Sequence, residues 1–193
     1  METIKVFTAF IGYDSQMMAL NRVTERHKGE IDFDLFTYSS PCQDWSAAGL
    51  QRGGQEGSGT RSSLLWECRK AIIAKKPKYL LLENVKALVS KKFLPYFNKW
   101  CIELESYGYH NYWKVMNAKD YRVPQNRERV FLLSIRSDVD CGNFIFPEKV
   151  ELTTFLRDVL EENVDEKYYL SENSIEGFIS HNENHEKKGT GFI

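Results

Sequence analysis

Long apolar runs are absent from this 193-residue chain, and cysteines are few. No stretch approaches the roughly 18 consecutive apolar residues that a membrane helix needs, and no signal-peptide pattern opens the chain. We therefore expect a cytoplasmic protein with no membrane partner. The cysteines stand far apart without a Cys-x-x-Cys pair, which argues against a zinc site or a disulfide framework. They are Cys42, Cys68, Cys101 and Cys141.

A strong net charge is also absent, since the formal charge is −1. That value argues against a strongly basic nucleic-acid binder, but it conceals a gradient. Residues 1–150 carry 22 Lys and Arg against 17 Asp and Glu, whereas residues 151–193 carry 4 against 10. The first part could therefore face phosphates, and the second would be repelled by them. We predict a catalytic domain over 1–150, followed by an acidic helix and a loosely ordered tail over 151–193.

Predicted strands and helices alternate along the first 135 residues. Hydrophobic patterning predicts strands at 4–10, 33–38, 78–83, 109–116 and 129–135. It predicts helices near 15–22 and at 60–74, 93–107 and 153–162. This alternation is typical of an α/β fold with a doubly wound sheet and right-handed crossovers.

Residues capable of chemistry stand at the ends of three predicted strands. They form the segments Pro41-Cys42-Gln43, Glu83-Asn84-Val85 and Gln125-Asn126-Arg127-Glu128-Arg129. Ligands of such sheets bind beyond the carboxyl ends of the strands, so a thiol, a carboxylate and two arginines are expected in one crevice. Each residue alone also fits a structural role, because buried cysteines and surface ion pairs are common. Their combination favours a catalytic site.

Two further features require an interpretation. A loop rich in glycine and serine, 49–59, is too long for a simple connector and is predicted to move or to bind. Trp45 is predicted to pack in the core. His181 and His185 have a spacing seen in metal sites, but without a third ligand we predict no bound metal.

In order and content, the three segments resemble the DNA cytosine-5 methyltransferases. That family has a Pro-Cys-Gln nucleophile loop, a Glu-Asn-Val strand end and a Gln-x-Arg-x-Arg motif. Residues 60–65 and 118–124 also look like family segments, so the resemblance covers about residues 5–170. It implies a Rossmann-like class I methyltransferase sheet, doubly wound, that methylates carbon 5 of a flipped-out cytosine through a cysteine adduct. In that family the glycine-rich loop closes over the DNA.

The resemblance also implies a role for individual residues. The catalytic residues would be Cys42, Glu83, Arg127 and Arg129. S-adenosylmethionine would contact Phe10, Gly12, Pro41 and Leu64. DNA and the target base would contact Gln43, Ser46, Asn84 and Gln125.

Two departures from the family pattern concern the cofactor and the target. Asp14 stands where a second glycine is expected, and only about 30 residues separate Gly12 from Cys42, too few for two further strands. We therefore predict a sheet that lacks its two outer strands and binds S-adenosylmethionine weakly. The chain also has no room for a target-recognition domain, so we expect a second chain to supply it. The alternative is an inactive remnant that binds DNA weakly or contacts another protein.

Overall fold

The computed structural model describes residues 5–9, 33–46 and 49–187. Five strands form one sheet. They are β1 (Val6–Ala9), β2 (Leu35–Tyr38), β3 (Tyr79–Val85), β4 (Tyr109–Asn117) and β5 (Glu128–Arg136). Four of the predicted strands match closely, and β1 begins two residues later than predicted. The helix predicted at 15–22 lies outside the described residues.

The strand order is β1-β2-β3-β5-β4. The first three strands are parallel, whereas β5 runs antiparallel to β3 and to β4. Val85, the last residue of β3, is the register partner of Arg129 near the start of β5. The reversed direction of β5 therefore brings the residues that precede it to the carboxyl edge of β2 and β3. This mixed α/β sheet agrees with the predicted methyltransferase-like architecture.

Helix α1 (Cys68–Lys75) follows a 3-10 helix, Arg61–Glu67, and α2 (Leu94–Ser106) precedes β4. The single helix predicted at 60–74 is therefore two elements. On α2, Trp100 is fully buried and donates from Nε1 to the hydroxyl of Tyr38 on β2, at 3.0 Å. Its ring also packs edge-on against Trp66, with centroids 5.5 Å apart. These aromatic contacts fix α2 and the 3-10 helix on one face of the sheet.

β3 continues two residues beyond its predicted end. Its side chains alternate between buried and partly exposed positions. Leu82 and Asn84 point into the core, whereas Glu83 and Val85 lie on the other face. Because β5 pairs with β3 as far as Val85, Glu83 and Asn84 lie within the strand rather than after it.

The chain divides into two compact units between Thr154 and Phe155. In the second unit the helix predicted at 153–162 is wrong: a 3-10 turn, Leu156–Val159, is all that forms there. A second difference is that α3 (Glu172–Lys187) occupies much of the segment expected to be loosely ordered. None of the described side chains after Thr154 is buried, so no packing partner stabilises the short predicted helix. The predicted domain division at residue 150 stays a prediction.

The helices in the described part of the chain are all too short or too polar to cross a membrane.

Candidate active site

Cys42 lies in a tight turn that follows β2. Its carbonyl oxygen accepts hydrogen bonds from the backbone N–H groups of Trp45, at 3.0 Å, and Ser46, at 2.8 Å. The side chain of Cys42 is exposed, whereas Trp45 is fully buried and packs edge-on against Phe93 with centroids 5.2 Å apart. The buried Trp45 therefore anchors one end of the turn, while the thiol of Cys42 is exposed to solvent.

Ser62, the second residue of the 3-10 helix, holds both sides of this turn. Its hydroxyl donates to the carbonyl of Pro41 and accepts from the backbone N–H of Asp44, at 3.2 Å. In return, the buried Asp44 carboxylate accepts from the backbone N–H of Ser62, at 3.2 Å, and from Arg52 Nε, at 2.9 Å. Burial raises the pKa of Asp44, but the hydrogen bonds from Arg52 and Ser62 outweigh it and hold this pKa below its ordinary value.

Glu83 and Arg129 form the charged part of the site. Arg129 Nε lies 3.1 Å from Glu83 Oε1, and the hydroxyl of Ser39 donates to Glu83 Oε2 at 3.3 Å. The side chain of Arg129 is 22% exposed and that of Glu83 is 36% exposed, so both still face the crevice. This places a fixed carboxylate and a fixed guanidinium beside the Cys42 turn.

A cavity of about 180 Å³ lies between these segments. Its walls come from the end of β2, the end of β3 and the start of β5. The lining residues are Ser39, Ser40, Pro41, Cys42, Glu83, Asn84, Val85, Arg127 and Arg129. Ser39, Ser40 and Val85 were not among the predicted site residues, although the polar Ser-Ser pair directly before Pro41 could have indicated the first two.

Four other predicted site residues that the structure describes do not line this cavity. Leu64 is half-buried on the 3-10 helix, Gln125 is exposed, and Gln43 accepts at Oε1 from Arg61, at 3.0 Å. Ser46 contributes to the Cys42 turn through its backbone. Phe10 and Gly12 lie outside the described residues. The predicted roles of these six in cofactor or DNA binding stay predictions.

Asn84 faces the interior and is 1% exposed. Its side-chain amide donates to the carbonyl of Ser40, at 2.9 Å, and to the hydroxyl of Ser40, at 3.2 Å. Its Oδ1 accepts from the backbone N–H of Val85, at 2.9 Å. Asn84 thus ties β3 to the segment that leads to Cys42, and its predicted contact with DNA stays a prediction.

The loop that carries Arg127 is closed by Asn117. Asn117 Oδ1 accepts from the backbone N–H of Arg127, at 3.0 Å, and its Nδ2 donates to Asn126 Oδ1, at 2.7 Å. The carbonyl of Arg127 accepts from the backbone N–H of Ala118, also at 3.0 Å. These bonds place the exposed Arg127 at the rim of the cavity.

The middle of the glycine-rich loop packs against the protein. Gly54 is buried, and a Cβ there would lie 2.3 Å from the ring of Trp45. Its carbonyl accepts from Trp66 Nε1 at 2.7 Å. Further along, Glu56 pairs with Arg69 and with Lys99. In this conformation the loop is held on the same side of the protein as the Cys42 turn and α2.

The described residues contain no group of three or more His, Cys, Asp and Glu side chains that could hold a metal. A methyl donor has a different requirement, namely a backbone turn beside the cavity. Ala9 at the end of β1 pairs with Tyr38 at the end of β2. The chain therefore leaves β1 at the same edge as Pro41, which suits a cofactor bound next to the Cys42 crevice.

Solved structures with a similar fold are methyltransferases. The Entamoeba histolytica methyltransferase EhMeth matches with a TM-score of 0.58 and 19% identity, over 86% of this chain and 56% of that one. The Dnmt2 methyltransferase of S. pombe matches with a TM-score of 0.57 and 17% identity, over 93% of this chain and 66% of that one. These likenesses define the class: an α/β protein with a methyltransferase fold.

Sequence comparison narrows the class to one family. The chain is 58% identical over 144 residues to the type II methyltransferase M2.ScrFI of Lactococcus lactis subsp. cremoris, covering 75% of this chain and 39% of that protein. It is 43% identical to the orphan methyltransferase M.SssI of Spiroplasma monobiae over 145 residues, covering 72% of this chain and 36% of that protein. The profile of the C-5 cytosine-specific DNA methylases matches residues 3–193, and the chain belongs to this family. It spans less than two-fifths of the length of these two relatives.

Proposed function

We propose that this chain carries the catalytic site of a DNA (cytosine-5-)-methyltransferase, with Cys42 as the nucleophile. The observation that carries the proposal is the single cavity shared by Cys42, Glu83 and Arg129. Its volume of about 180 Å³ is below the roughly 300 Å³ at which pockets for drug-sized ligands begin. A cavity of this size suits one base that has been flipped out of the duplex.

The chemistry requires these three residue types together. Carbon 5 of cytosine is a poor nucleophile, so the Cys42 sulfur first forms a bond to carbon 6, and the ring electrons move toward carbon 5. Glu83, in its carboxylic acid form with a proton taken from solvent, donates that proton to the ring nitrogen where negative charge would otherwise accumulate and recovers it when the cysteine leaves, and Arg129 holds the base carbonyl. Carbon 5 then takes the methyl group and loses its proton to solvent, and the Cys42 thiolate leaves.

The Arg129–Glu83 ion pair has a specific use in this scheme. Because the 3.1 Å contact and the hydrogen bond from Ser39 fix the carboxylate, little reorganisation is needed when the base arrives. Arg127 at the rim of the cavity is suited to a phosphate of the same nucleotide.

S-adenosylmethionine, when bound, supplies the methyl group. Phe10 and Gly12, which follow β1 in the sequence, would hold it together with Pro41 at the edge of the cavity. Asp14 places a carboxylate and a Cβ where the family has glycine, so we expect weaker binding than in a chain with both glycines. Calorimetric titration of the chain with S-adenosylmethionine, with and without duplex DNA, measures this directly.

A partner that reads the target sequence is also proposed. The unit after Thr154 exposes large apolar side chains, with Tyr168 71% and Phe178 66% exposed. Apolar groups at this level of exposure are typical of surfaces that contact another protein. This part of the chain is the proposed contact with a second chain that supplies target recognition.

Covalent trapping tests the function. Duplex DNA that contains 5-fluorocytosine should form a stable adduct with the protein in the presence of S-adenosylmethionine, because the fluorine cannot leave as the proton does. Cys42→Ser should abolish the adduct, whereas Cys141→Ser should not, since Cys141 is an equally exposed cysteine outside the cavity. Glu83→Gln should slow adduct formation by about 10²-fold or more.

Two results would contradict the proposal. An adduct that persists in Cys42→Ser would assign the nucleophile elsewhere. If the wild-type chain forms no adduct and gives no heat with S-adenosylmethionine, even with DNA present, the inactive remnant becomes the better account.

A further inference from the structure

The Cys42 turn is held by two side chains that the reaction itself does not use. Ser62 and Asp44 exchange two hydrogen bonds, from Asp44 N–H to the Ser62 hydroxyl and from Ser62 N–H to the Asp44 carboxylate, each at 3.2 Å. The same Ser62 hydroxyl donates to the carbonyl of Pro41. Ser62 therefore bonds to the residue before Cys42 and to the residue two positions after it.

Both side chains are inaccessible to solvent or nearly so, at 0% for Ser62 and 1% for Asp44. Polar groups at this depth are costly to leave unpaired, so loss of one partner weakens the remaining hydrogen bonds between Ser62, Asp44 and Pro41. Neither residue lines the cavity that Cys42 shares with Glu83 and Arg129. Their contribution is conformational rather than chemical.

Asp44 also joins the turn to the glycine-rich loop. Its carboxylate accepts from Arg52 Nε at 2.9 Å, and its carbonyl accepts from the backbone N–H of Gly53, also at 2.9 Å. Any displacement of the loop that moves Arg52 and Gly53 must break these contacts. The loop conformation and the Cys42 conformation are therefore coupled through one residue.

We propose that Ser62 and Asp44 are positioning residues that hold the Cys42 turn in its reactive conformation, and that Asp44 couples this turn to the glycine-rich loop through Arg52. The proposal rests on Cys42 as the nucleophile, because the position of its thiol matters for the rate only if that thiol attacks the base. A misplacement of the reacting atom by about 1 Å is enough to cost roughly a hundredfold in rate.

Amide hydrogen exchange tests the hold on the turn without DNA or cofactor. In Ser62→Ala, exchange at the backbone amides of residues 44–46 should become roughly tenfold faster, because two hydrogen bonds to the turn are lost. Ser63→Ala is the matched control: it removes a hydroxyl from the same 3-10 helix that, among the described residues, bonds to the carbonyl of Thr60 and not to the Cys42 turn. Exchange in β3 and β5 should be the same in both variants, which shows that the fold is intact.

Adduct formation on 5-fluorocytosine DNA tests the consequence for Cys42. We expect Ser62→Ala to lower the rate constant of trapping roughly tenfold to a hundredfold while the dissociation constant for duplex DNA stays within twofold. Asp44→Asn keeps an acceptor oxygen for Ser62 N–H and loses only the charge that faces Arg52. It should retain more of the trapping rate than Ser62→Ala does, but exchange at the Gly53 amide should become faster because the link between Asp44 and the loop is weakened, and unchanged exchange at Gly53 overturns the coupling.

The outcomes separate the two proposals. Unchanged exchange in Ser62→Ala, or faster exchange with an unchanged trapping rate, overturns the positioning role while the nucleophile stands. Equal effects of Ser62→Ala and Ser63→Ala also overturn it, because the hydroxyl bonded to Pro41 would then have no special part. If the wild-type chain forms no adduct, the proposed function fails. Amide hydrogen exchange in Ser62→Ala and Ser63→Ala then decides alone whether Ser62 and Asp44 hold the Cys42 turn.

Discussion

Replacement of Asn84 by alanine should destabilise the first unit by about 3 kcal/mol. The side chain makes three hydrogen bonds, two to Ser40 and one to the backbone N–H of Val85, at 2.9 to 3.2 Å. Each such bond contributes about 1 kcal/mol, and both Asn84 and Ser40 are 1% exposed, so water cannot replace the lost partner. The effect should therefore lie near the sum of the three bonds.

Urea unfolding followed by tryptophan fluorescence measures this change. All four tryptophans precede Thr154, so their emission reports on the first unit alone. With a slope of about 2 kcal/mol per molar urea, a loss of 3 kcal/mol lowers the midpoint by about 1.5 M. Asn98→Ala is the control, because Asn98 is exposed on α2 and its replacement should change the free energy of unfolding by less than about 0.5 kcal/mol.

The reasoning would be refuted by an Asn84→Ala midpoint within about 0.2 M of wild type, since Asn84 would then contribute no net hydrogen bonding. A midpoint shift with a large change of slope would point instead to a loss of two-state unfolding, and a second probe such as circular dichroism would decide between these explanations.

Further predictions concern the same region. Asp44→Asn should lower the free energy of unfolding at pH 7 by about 2 kcal/mol, because the ion pair with Arg52 is lost and the remaining acceptor for Ser62 N–H is no longer charged. Since the pKa of Asp44 in the folded protein lies below its ordinary 3.8, the wild type should lose this advantage as the pH falls below about 4, and unfolding curves at several pH values measure it. Gly54→Ala should cost about 1 to 3 kcal/mol, since its Cβ would meet the Trp45 ring at 2.3 Å. Gly177→Ala on α3, where a Cβ has open space, should instead raise the helix content seen by circular dichroism.

The carboxyl ends of parallel strands share one edge, so the sequence alone predicts that Cys42 lies close to Glu83. The order of three short motifs was enough to indicate the family, which the profile match confirms. Arg129 was harder to place, because it lies at the start of its strand and not at the end. It reaches the site since β5 is antiparallel to β3, and strand direction depends on long-range pairing rather than on local pattern.

Other features depend on side chains whose partners are distant in the chain. The amide of Asn84 is bonded to Ser40 across the sheet, a structural contact that the sequence did not predict, and its predicted contact with DNA stays a prediction. The partnership of Asp44 and Ser62 has no local signature, because buried polar groups reveal their partners only after the chain has packed. The predicted helix at 153–162 does not form, and none of the described side chains of residues 155–162 is buried.

By itself, the sequence determined the alternation of strands and helices and the residues now proposed as nucleophile and acid, Cys42 and Glu83, because these depend on local patterning and on residue chemistry. The tertiary structure decided how these residues are held. It reversed β5 so that Arg129 lies 3.1 Å from Glu83, turned Asn84 inward, and placed Ser62 across the Cys42 turn. These contacts join segments far apart in the chain, and burial fixes their geometry because an unpaired polar group in the core is costly.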